Sequence, residues 1–183
     1  MLIIQTLEQT SHSSKLQART ELQSITLLSC TATRGSSLQN LIEPLNLSIT
    51  QRGTGECCGG GFSASVSFSV RSVDSGQPQK DVFQIYCVFK ADYLVRDTPP
   101  TEEELAAFSS ANALFNCWPY ARELVQSLTS RMDLRVPALP YLRIQTNIPP
   151  VLLEAVKNSE DADELQKGKP IVPRKTKGKR KVA

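Results

Sequence analysis

Few residues of this 183-residue chain combine the type and the spacing that catalysis or metal binding needs. The single histidine, His12, lies in a weakly patterned N-terminal stretch, so a Ser-His-Asp triad, a Cys-His pair and a multi-histidine metal site each lack a member. No GxxxxGKS/T motif is present, and the run Gly59-Gly60-Gly61 is typical of a turn between strands. An enzyme would have to use Tyr120, Arg122 and Glu123 as a polar cluster, but Arg122 and Glu123 are interpreted as exposed helix charges or interface ion pairs. We therefore predict no enzyme, no cofactor and no metal site.

The cysteines and the lengths of the apolar runs indicate that the protein is cytoplasmic. No run approaches the ~20 apolar residues of a membrane-spanning helix, and Leu2-Ile3-Ile4 is too short for a signal peptide. The adjacent pair Cys57-Cys58 is interpreted as two loop thiols, although a metal bound in trans or a redox pair would use the same residues. We predict a cytoplasmic protein without membrane insertion and with free, mostly buried thiols at Cys30, Cys57, Cys58, Cys87 and Cys117.

Charge is divided unevenly along the chain. Residues 167–183 contain eight Lys and Arg residues and no acid, so this tail carries +8, whereas residues 1–166 carry −5. Such a tail can bind nucleic acid through counterion release, although it has no aromatic residue for base stacking. A solubilising tail, or one that contacts acidic partners or the protein's own acidic body, fits the composition equally.

Four strand patterns precede the helical part of the sequence. The first has blurred alternation, which is typical of a strand that is partly buried on both faces, and the other three alternate with a period of two. Gly53-Thr54-Gly55 and Asp74-Ser75-Gly76 are interpreted as parts of short connections. No helix-length segment separates the strands, which favours an antiparallel meander or Greek key. The predicted strands centre on Leu22–Ala32, Leu45–Thr50, Phe62–Arg71 and Val82–Tyr93.

Helix signals follow the strands. Thr101 and Glu104 have the spacing of a capping box, and the acids Glu102–Glu104 favour a helix start over general acid–base chemistry. This helix is predicted to run to about Asn112, and a second to begin near Pro119 and end at Val136-Pro137. A short third helix is predicted over Val151–Val156.

These elements define the predicted organisation. The fold class is α+β, with a four-stranded antiparallel sheet followed by helices packed on one face. Residues 1–20 are predicted to form a flexible N-terminal arm or a frayed helix, residues 21–157 the folded domain, and residues 158–183 a disordered basic tail.

The segment Thr101–Leu142 resembles the SecB protein-export chaperone family. In that family a Pro-Tyr-Ala-Arg-Glu segment opens the long helix, which closes with Ser-Arg before an apolar loop that contains proline. The resemblance covers roughly residues 20–145 and implies the same α+β fold. It rests on Thr101-Glu102-Glu103-Glu104-Leu105, Leu114-Phe115, Trp118-Pro119-Tyr120-Ala121-Arg122-Glu123, Leu128-Thr129-Ser130-Arg131 and the loop Val136–Tyr141.

The resemblance implies an ATP-independent holdase that assembles as a homotetramer, a dimer of dimers. Such chaperones bind unfolded polypeptides in apolar grooves and keep them competent for export or folding. The clients are unfolded preproteins or, in divergent SecB-like proteins, an antitoxin of a toxin–antitoxin system. A protein that acts on nucleic acid through residues 167–183 is the alternative from another class.

The resemblance also implies site residues, each of which has ordinary core packing as its alternative. The client-binding groove is predicted at Leu45, Leu47, Ile49, Val136, Leu139, Tyr141 and Leu142. The oligomer interface is predicted at Trp118, Tyr120, Ala121, Leu124, Val125 and Leu128.

Three features depart from the export chaperones. Those proteins present acids on the sheet to the SecA motor, whereas the predicted strands here offer chiefly Glu21 and Asp81, which argues against SecA as a partner. The segment after the apolar loop, Arg143–Thr146, does not follow the usual SecB ending. The lysine-rich tail is unusual as well. By analogy, the chain is closer to the antitoxin-associated type.

Overall fold

The computed structural model describes residues 2–35, 46–74, 77–134, 136 and 138–147. The predicted helix at 151–156, the basic tail and Leu45 lie outside these residues. The elements follow in the order β1 (Leu2–Thr6), α1 (Leu7–Ala18), β2 (Thr20–Arg34), β3 (Asn46–Cys58), β4 (Gly61–Asp74), β5 (Gln77–Val95), α2 (Glu102–Arg131) and β6 (Arg143–Asn147).

Strands β2 to β5 form an antiparallel sheet with the spatial order β2-β5-β4-β3. Three consecutive strands, β3, β4 and β5, pair as neighbours, and β2 pairs with the far side of β5. This is the strand order of a Greek key. The predicted α+β class with a four-stranded antiparallel sheet is confirmed, and of the two antiparallel topologies the chain adopts the Greek key.

The core lies on one face of this sheet. The inward side chains of β4 and β5 alternate with polar ones and are buried, as the period of two predicts. Serines at alternate positions of β4 occupy the opposite face. The buried inward side chains are Phe62, Ala64, Val66, Phe68, Val70, Phe83, Ile85, Cys87, Phe89, Ala91 and Tyr93.

An aromatic cluster holds Tyr93 at one end of this core. Its ring stacks on Phe62 at a centroid distance of 4.8 Å and meets Phe108 edge-on at 5.1 Å. The Asn116 side-chain amide donates a hydrogen bond to the Tyr93 hydroxyl at 3.0 Å. Burial raises the pKa of Tyr93 to about 12, because the low-polarity surroundings disfavour the phenolate.

Helix α2 begins with the predicted capping box. The Glu104 amide donates to the Thr101 hydroxyl at 3.2 Å, and the Thr101 amide donates to the Glu104 carboxylate at 3.1 Å. The same carboxylate forms an ion pair with Arg19. Arg19 also donates to the Thr98 carbonyl at 2.6 Å, which ties the start of α2 to the chain between α1 and β2.

One continuous helix of 30 residues replaces the two that the sequence predicted, and Pro119 lies inside it. An interior proline removes one helical hydrogen bond and costs about 3 kcal/mol. Here Pro119 is exposed, while Leu114, Cys117, Trp118 and Ala121 on both sides of it are buried. Burial of these apolar side chains on one core offsets the cost, so the Pro-Tyr-Ala-Arg-Glu segment lies within the helix instead of opening it.

Residues 2–18, predicted as a flexible arm or a frayed helix, form β1 and α1. Strand β1 pairs in parallel with β6, a partner so distant in sequence that local patterns do not reveal it. The Gln5 side-chain amide donates to the Ala107 carbonyl at 3.0 Å, and the Ser13 hydroxyl donates to the Asn112 side chain at 2.7 Å. These contacts hold the N-terminal elements on α2.

Two further expectations differ from the structure. Gly53-Thr54-Gly55, interpreted as part of a connection, lies within β3. The thiols are not mostly buried, because Cys30 lies on an edge strand and Cys57 and Cys58 lie at the end of β3, all three exposed to solvent; the remaining two cysteines are buried. No helix in the described ranges is long and apolar enough to cross a membrane.

The glycines of β3 mark the place where α2 approaches the sheet most closely. A Cβ atom at Gly53 would lie 1.9 Å from the Ser109 carbonyl oxygen, and one at Gly55 would lie 2.5 Å from the Ser109 hydroxyl. Real Cβ atoms do not approach backbone atoms so closely, so any other residue at Gly53 has to push the helix away from the strand.

Gly53→Ala should therefore lower the free energy of unfolding by about 1–3 kcal/mol through overpacking. The measurement is urea unfolding followed by circular dichroism. Gly59→Ala is the matched control, because a Cβ at Gly59 meets nothing within 4 Å. Equal stability of Gly53→Ala and Gly59→Ala would contradict the close approach.

Stability should also fall at high pH because of Tyr93. Its pKa is about 10 in the unfolded chain and about 12 in the fold, so its stabilising contribution is complete below pH ~10 and is lost as the pH rises towards ~12. The unfolding free energies of the wild type and of Tyr93→Phe should be compared at pH ~8 and ~11. Their difference should shift by about 1 kcal/mol in favour of Phe. A pH-independent difference would contradict the raised pKa.

Candidate functional site

Strand β2 carries apolar side chains that the fold leaves uncovered. Its pairing register places them on the core face, opposite β5 residues that are buried. Yet Leu22 is 42% exposed and Leu27 is 43% exposed, while Ile25 and Ala32 are half-buried. The core face thus continues outward as an apolar surface, which we call the β2 stripe: Leu22, Ile25, Leu27 and Ala32.

The stripe lies on an edge of the sheet. Within the described ranges β2 pairs with β5 on one side and has no strand on the other. Its register shifts between Leu22 and Ser24 and again between Leu27 and Ser29, which are irregularities that often occur at sheet edges. The backbone of β2 therefore presents N–H and C=O groups that no sheet partner uses.

A cleft of about 620 Å³ opens at the start of the stripe. The sheet contributes Leu22 of β2 and Tyr93 of β5, while β1, α1, α2 and β6 provide the other walls, so six elements meet there. Leu22, Phe115 and Ile144 are exposed apolar side chains at this cleft, which we call the β2 cleft. Its remaining lining includes Gln5, Thr10, Ser13, Ser14, Gln17, Thr20, Phe108, Asn112 and Asn116.

The amide side chains of the β2 cleft are held in place by hydrogen bonds. Asn112 accepts from the Ser13 hydroxyl at 2.7 Å and donates to the Gln17 side chain at 2.8 Å. Asn116 donates to the Tyr93 hydroxyl, which the raised pKa keeps protonated. The cleft therefore combines an apolar rim with oriented polar groups, an arrangement typical of ligand-binding clefts.

A second cleft, of about 1000 Å³, lies on the opposite side of α2. Four carboxylates line it, from Glu8, Glu56, Glu102 and Glu103. His12 also lines this cleft, with its imidazole 3.9 Å from the Glu8 carboxylate. No group of three or more His, Cys, Asp or Glu side chains among the described residues could hold a metal ion.

The groove residues predicted from the sequence do not line the β2 cleft. Leu47 and Ile49 are half-buried on β3, the opposite edge of the sheet, and Val136 is half-buried against the core. Leu139 and Leu142 are buried in the core.

The segment 138–142 packs on α2. The Trp118 indole N–H donates to the Pro140 carbonyl at 3.0 Å. Tyr141 is the exposed member of the predicted groove set, and the Arg122 guanidinium lies 4.6 Å from the centre of its ring. The predicted groove residues are therefore divided between β3, the core and the segment that packs on α2.

The predicted interface residues of α2 divide into two groups. Trp118, Ala121 and Val125 are buried within the single chain, and the Trp118 ring lies 5.4 Å from the Phe68 ring. Leu124 and Leu128 are half-buried, and Tyr120 is exposed. Only the second group offers surface to another copy of the chain.

The β2 stripe was not predicted, because the blurred alternation of the first strand is typical of a strand that is partly buried on both faces. The signal was present in Leu22, Ile25 and Leu27, but the sequence alone does not reveal that this strand is an edge. Phe115 and Ile144 come from elements far apart in the chain, so only the fold brings them to Leu22.

The sequence matches no protein-family model and no curated protein. Among solved structures, the Mycobacterium tuberculosis Rv1957 SecB-like chaperone, in complex with a ChAD peptide from the Rv1956 HigA1 antitoxin, is similar with a TM-score of 0.63 and 26% identity, covering 74% of this chain and 100% of that chain. A protein of unknown function from Streptococcus agalactiae has a TM-score of 0.35 and 12% identity over 67% of this chain and 97% of that chain, a likeness too weak to support an argument.

The likeness to the mycobacterial protein agrees with the motif and with the fold. The sheet has four antiparallel strands, and the long helix carries the segment from Trp118 to Glu123 and ends at Arg131. The similar structure is that of a SecB-like chaperone. In motif and in fold, the chain is therefore similar to a SecB-like chaperone.

Proposed function

We propose that this protein is a chaperone that binds an extended, apolar segment of a client polypeptide along the β2 stripe, without nucleotide. The observation that carries the proposal is the apolar face of an edge strand left open beside a cleft. A holdase needs exposed apolar surface, and on a monomeric soluble protein a continuous apolar patch marks a binding site more often than chance.

The edge of β2 supplies the backbone part of this binding. An extended segment can add to a free edge as a further strand, because the unpaired N–H and C=O groups of β2 match those of the incoming chain. Alternate side chains of that segment then lie on the same face as Leu22, Ile25 and Leu27. Backbone hydrogen bonds give affinity without sequence specificity, and the stripe selects apolar side chains.

The β2 cleft supplies a place for one larger side chain. Its volume of about 620 Å³ lies in the range of small-molecule and side-chain pockets. Phe115 and Ile144 provide apolar contact, while the side chains of Asn112 and Asn116 make part of the cleft wall polar. A tryptophan or tyrosine, with an apolar body and one polar end, fits this combination.

The outer face of the sheet opposes non-specific aggregation. β2 carries Ser24, Thr26 and Thr31 on that face, and the Ser24 hydroxyl donates to Asp92 at 3.1 Å. Asp92 also accepts from the Ser63 hydroxyl at 2.6 Å and pairs with Lys90 at 2.9 Å. Hydrogen bonds from Lys90 and Ser63 lower the pKa of Asp92, so its charge persists in mildly acidic solution.

An antitoxin is the proposed client. The mycobacterial protein binds a peptide of an antitoxin, and this chain is similar to it over the whole of that chain. On the outer sheet face, the charge of Asp92 is offset by its ion pair with Lys90, which reduces the acidic surface on which a SecA motor could dock. We therefore propose that the protein binds a dedicated cytoplasmic client in preference to exported preproteins.

The double variant Leu22→Ser/Leu27→Ser tests the stripe. Loss of both side chains should weaken binding of an extended apolar peptide by at least about tenfold, because each leucine contributes roughly 1 kcal/mol of partial burial. The measurements are fluorescence anisotropy of a labelled peptide that contains tryptophan, and suppression of aggregation of a chemically unfolded protein without ATP.

Leu94→Ser is the matched control for that variant. Leu94 is 46% exposed and follows Tyr93 on β5, so its side chain lies on the opposite face of the sheet. Its replacement should leave affinity within about twofold. Equal peptide affinity of the double variant and the wild type would show that the β2 stripe is not the binding site.

Two further experiments test the other proposed binding regions, the groove at β3 and the basic tail. Leu47→Ser/Ile49→Ser tests the groove predicted from the sequence at β3, which we retain as a second proposed contact surface. Half-buried Val136 and exposed Tyr141 belong to it, with Leu139 and Leu142 as its buried support. A chain of residues 1–166 tests the basic tail: holdase activity should persist, and salt-sensitive binding of nucleic acid should disappear. Loss of holdase activity with the tail would point instead to charge-driven association.

Assembly as a dimer of dimers is proposed through the outward face of α2. Exposed Tyr120 and half-buried Leu124 and Leu128 support it, with Trp118, Ala121 and Val125 packed behind them within each chain.

Tyr120→Ala should therefore lower the assembly state, because aromatic side chains often dominate interface energies. Sedimentation velocity measures the mass, with Tyr86→Ala as control because Tyr86 is also exposed but lies on β5. An unchanged mass for Tyr120→Ala would count against this interface.

A further inference from the structure

Cys30 and Cys87 face one another across β2 and β5. Beyond Arg34, the Gly35 amide donates to the Val82 carbonyl at 2.9 Å, so Gly35 and Val82 form a hydrogen-bonded pair in this register. Hydrogen-bonded and non-hydrogen-bonded pairs alternate along an antiparallel ladder, and the register does not shift between Cys30 and Arg34. Cys30 and Cys87, five pairs away, therefore form a non-hydrogen-bonded pair.

That position suits a disulfide. In non-hydrogen-bonded pairs the Cα atoms are about 4.5 Å apart and the side chains are at their closest. Disulfides span Cα separations of about 4.4–6.8 Å and need Cβ atoms about 3.5–4.5 Å apart. The bond can therefore form with the two strands in place, by an approach of about an ångström between the Cβ atoms.

The two thiols differ in access to solvent. Cys30 is exposed on the edge strand, whereas Cys87 is 1% exposed and lies against the interior. Burial, and secondarily the nearby Cys30, raise the pKa of Cys87 to about 11, which keeps its thiol protonated and slow to react with solutes. Cys117 on α2 is buried as well, and burial raises its pKa to about 12. Burial also raises the pKa of Cys30, so only a fraction of its thiol is ionised, but Cys30 is the thiol of this group that an oxidant reaches.

We infer that Cys30 and Cys87 are a redox pair, in which a hydroperoxide oxidises Cys30 and Cys87 then closes an intrachain disulfide between the edge strand and the sheet. This inference goes beyond the proposed chaperone function and does not depend on it.

The chemistry balances with a hydroperoxide as oxidant. The Cys30 thiolate attacks one peroxide oxygen, the O–O bond breaks, and the leaving oxygen takes a proton to become an alcohol or water. The Cys87 sulfur then attacks the sulfur of the Cys30 sulfenic acid, so that the S–S bond forms and the S–O bond of the sulfenic acid breaks. The departing hydroxide takes the Cys87 thiol proton and becomes water. Two thiols lose two electrons, and the hydroperoxide gains them.

The other exposed thiols do not share this geometry. Cys57 and Cys58 are neighbours on β3, so their side chains project to opposite faces of the strand. They therefore serve as an internal control for thiols that are accessible but unpaired.

The experiment treats the full-length protein with hydrogen peroxide, blocks remaining thiols with an alkylating reagent, and counts them by mass spectrometry. The expected result is loss of two of the five thiols, with one cross-linked peptide pair that contains Cys30 and Cys87. The oxidised protein should also melt at a higher temperature than the reduced one, because the bond closes a long loop, and dithiothreitol should reverse the shift.

Cys30→Ser and Cys57→Ser/Cys58→Ser make the test specific. Cys30→Ser replaces an exposed side chain, so it should fold normally and lose both the cross-link and the melting shift. The Cys57→Ser/Cys58→Ser variant should keep both. Five free thiols after oxidation, a cross-link between two chains through Cys30, or a cross-link that involves Cys57 or Cys58 would each overturn the inference.

Discussion

The close packing of α2 against one face of the sheet is the constraint on which the rest of this structure depends. The helix backbone approaches β3 at Gly53, where a single added carbon atom would collide with the Ser109 carbonyl. From there it extends over β4 and β5, and its contacts decrease from β3 to β5. Because the helix lies towards β3, the inward faces of β4 and β5 are buried and that of β2 is not.

That asymmetry accounts for the candidate site. The β2 stripe is the part of the core face that α2 leaves uncovered, and the β2 cleft is the space between the helix, the N-terminal elements and that strand. Because β2 is uncovered, Cys30 is also accessible to solvent, whereas its partner Cys87 on β5 is buried. Client binding and thiol oxidation, as proposed, therefore use one feature of the fold: an edge strand with an apolar, open inner face.

Much of the fold followed from local patterns. The alternation over Phe62–Val70 predicted a half-buried strand because each second residue must meet the core, and the Thr101–Glu104 spacing predicted the start of α2 because a capping box satisfies free amides locally. Continuity of α2 through Pro119 was not predicted, since the cost of a proline is local and the burial that offsets it is tertiary. That residues 2–18 form the regular elements β1 and α1 was not predicted for the same reason, because their partners β6 and α2 lie far away in the sequence.

The sequence by itself determined which segments form the four strands of the sheet, where the long helix begins, and the α+β class, since these depend on side-chain periodicity and on capping within a few residues. It also contains the SecB-like motif. Only the tertiary structure decided which strands are edges, where α2 crosses the sheet and which apolar residues remain exposed. Leu22 and Phe62 are both apolar residues of predicted strands, yet one is at the rim of a cleft and the other is fully buried. The difference arises from packing between distant segments, which no local pattern encodes.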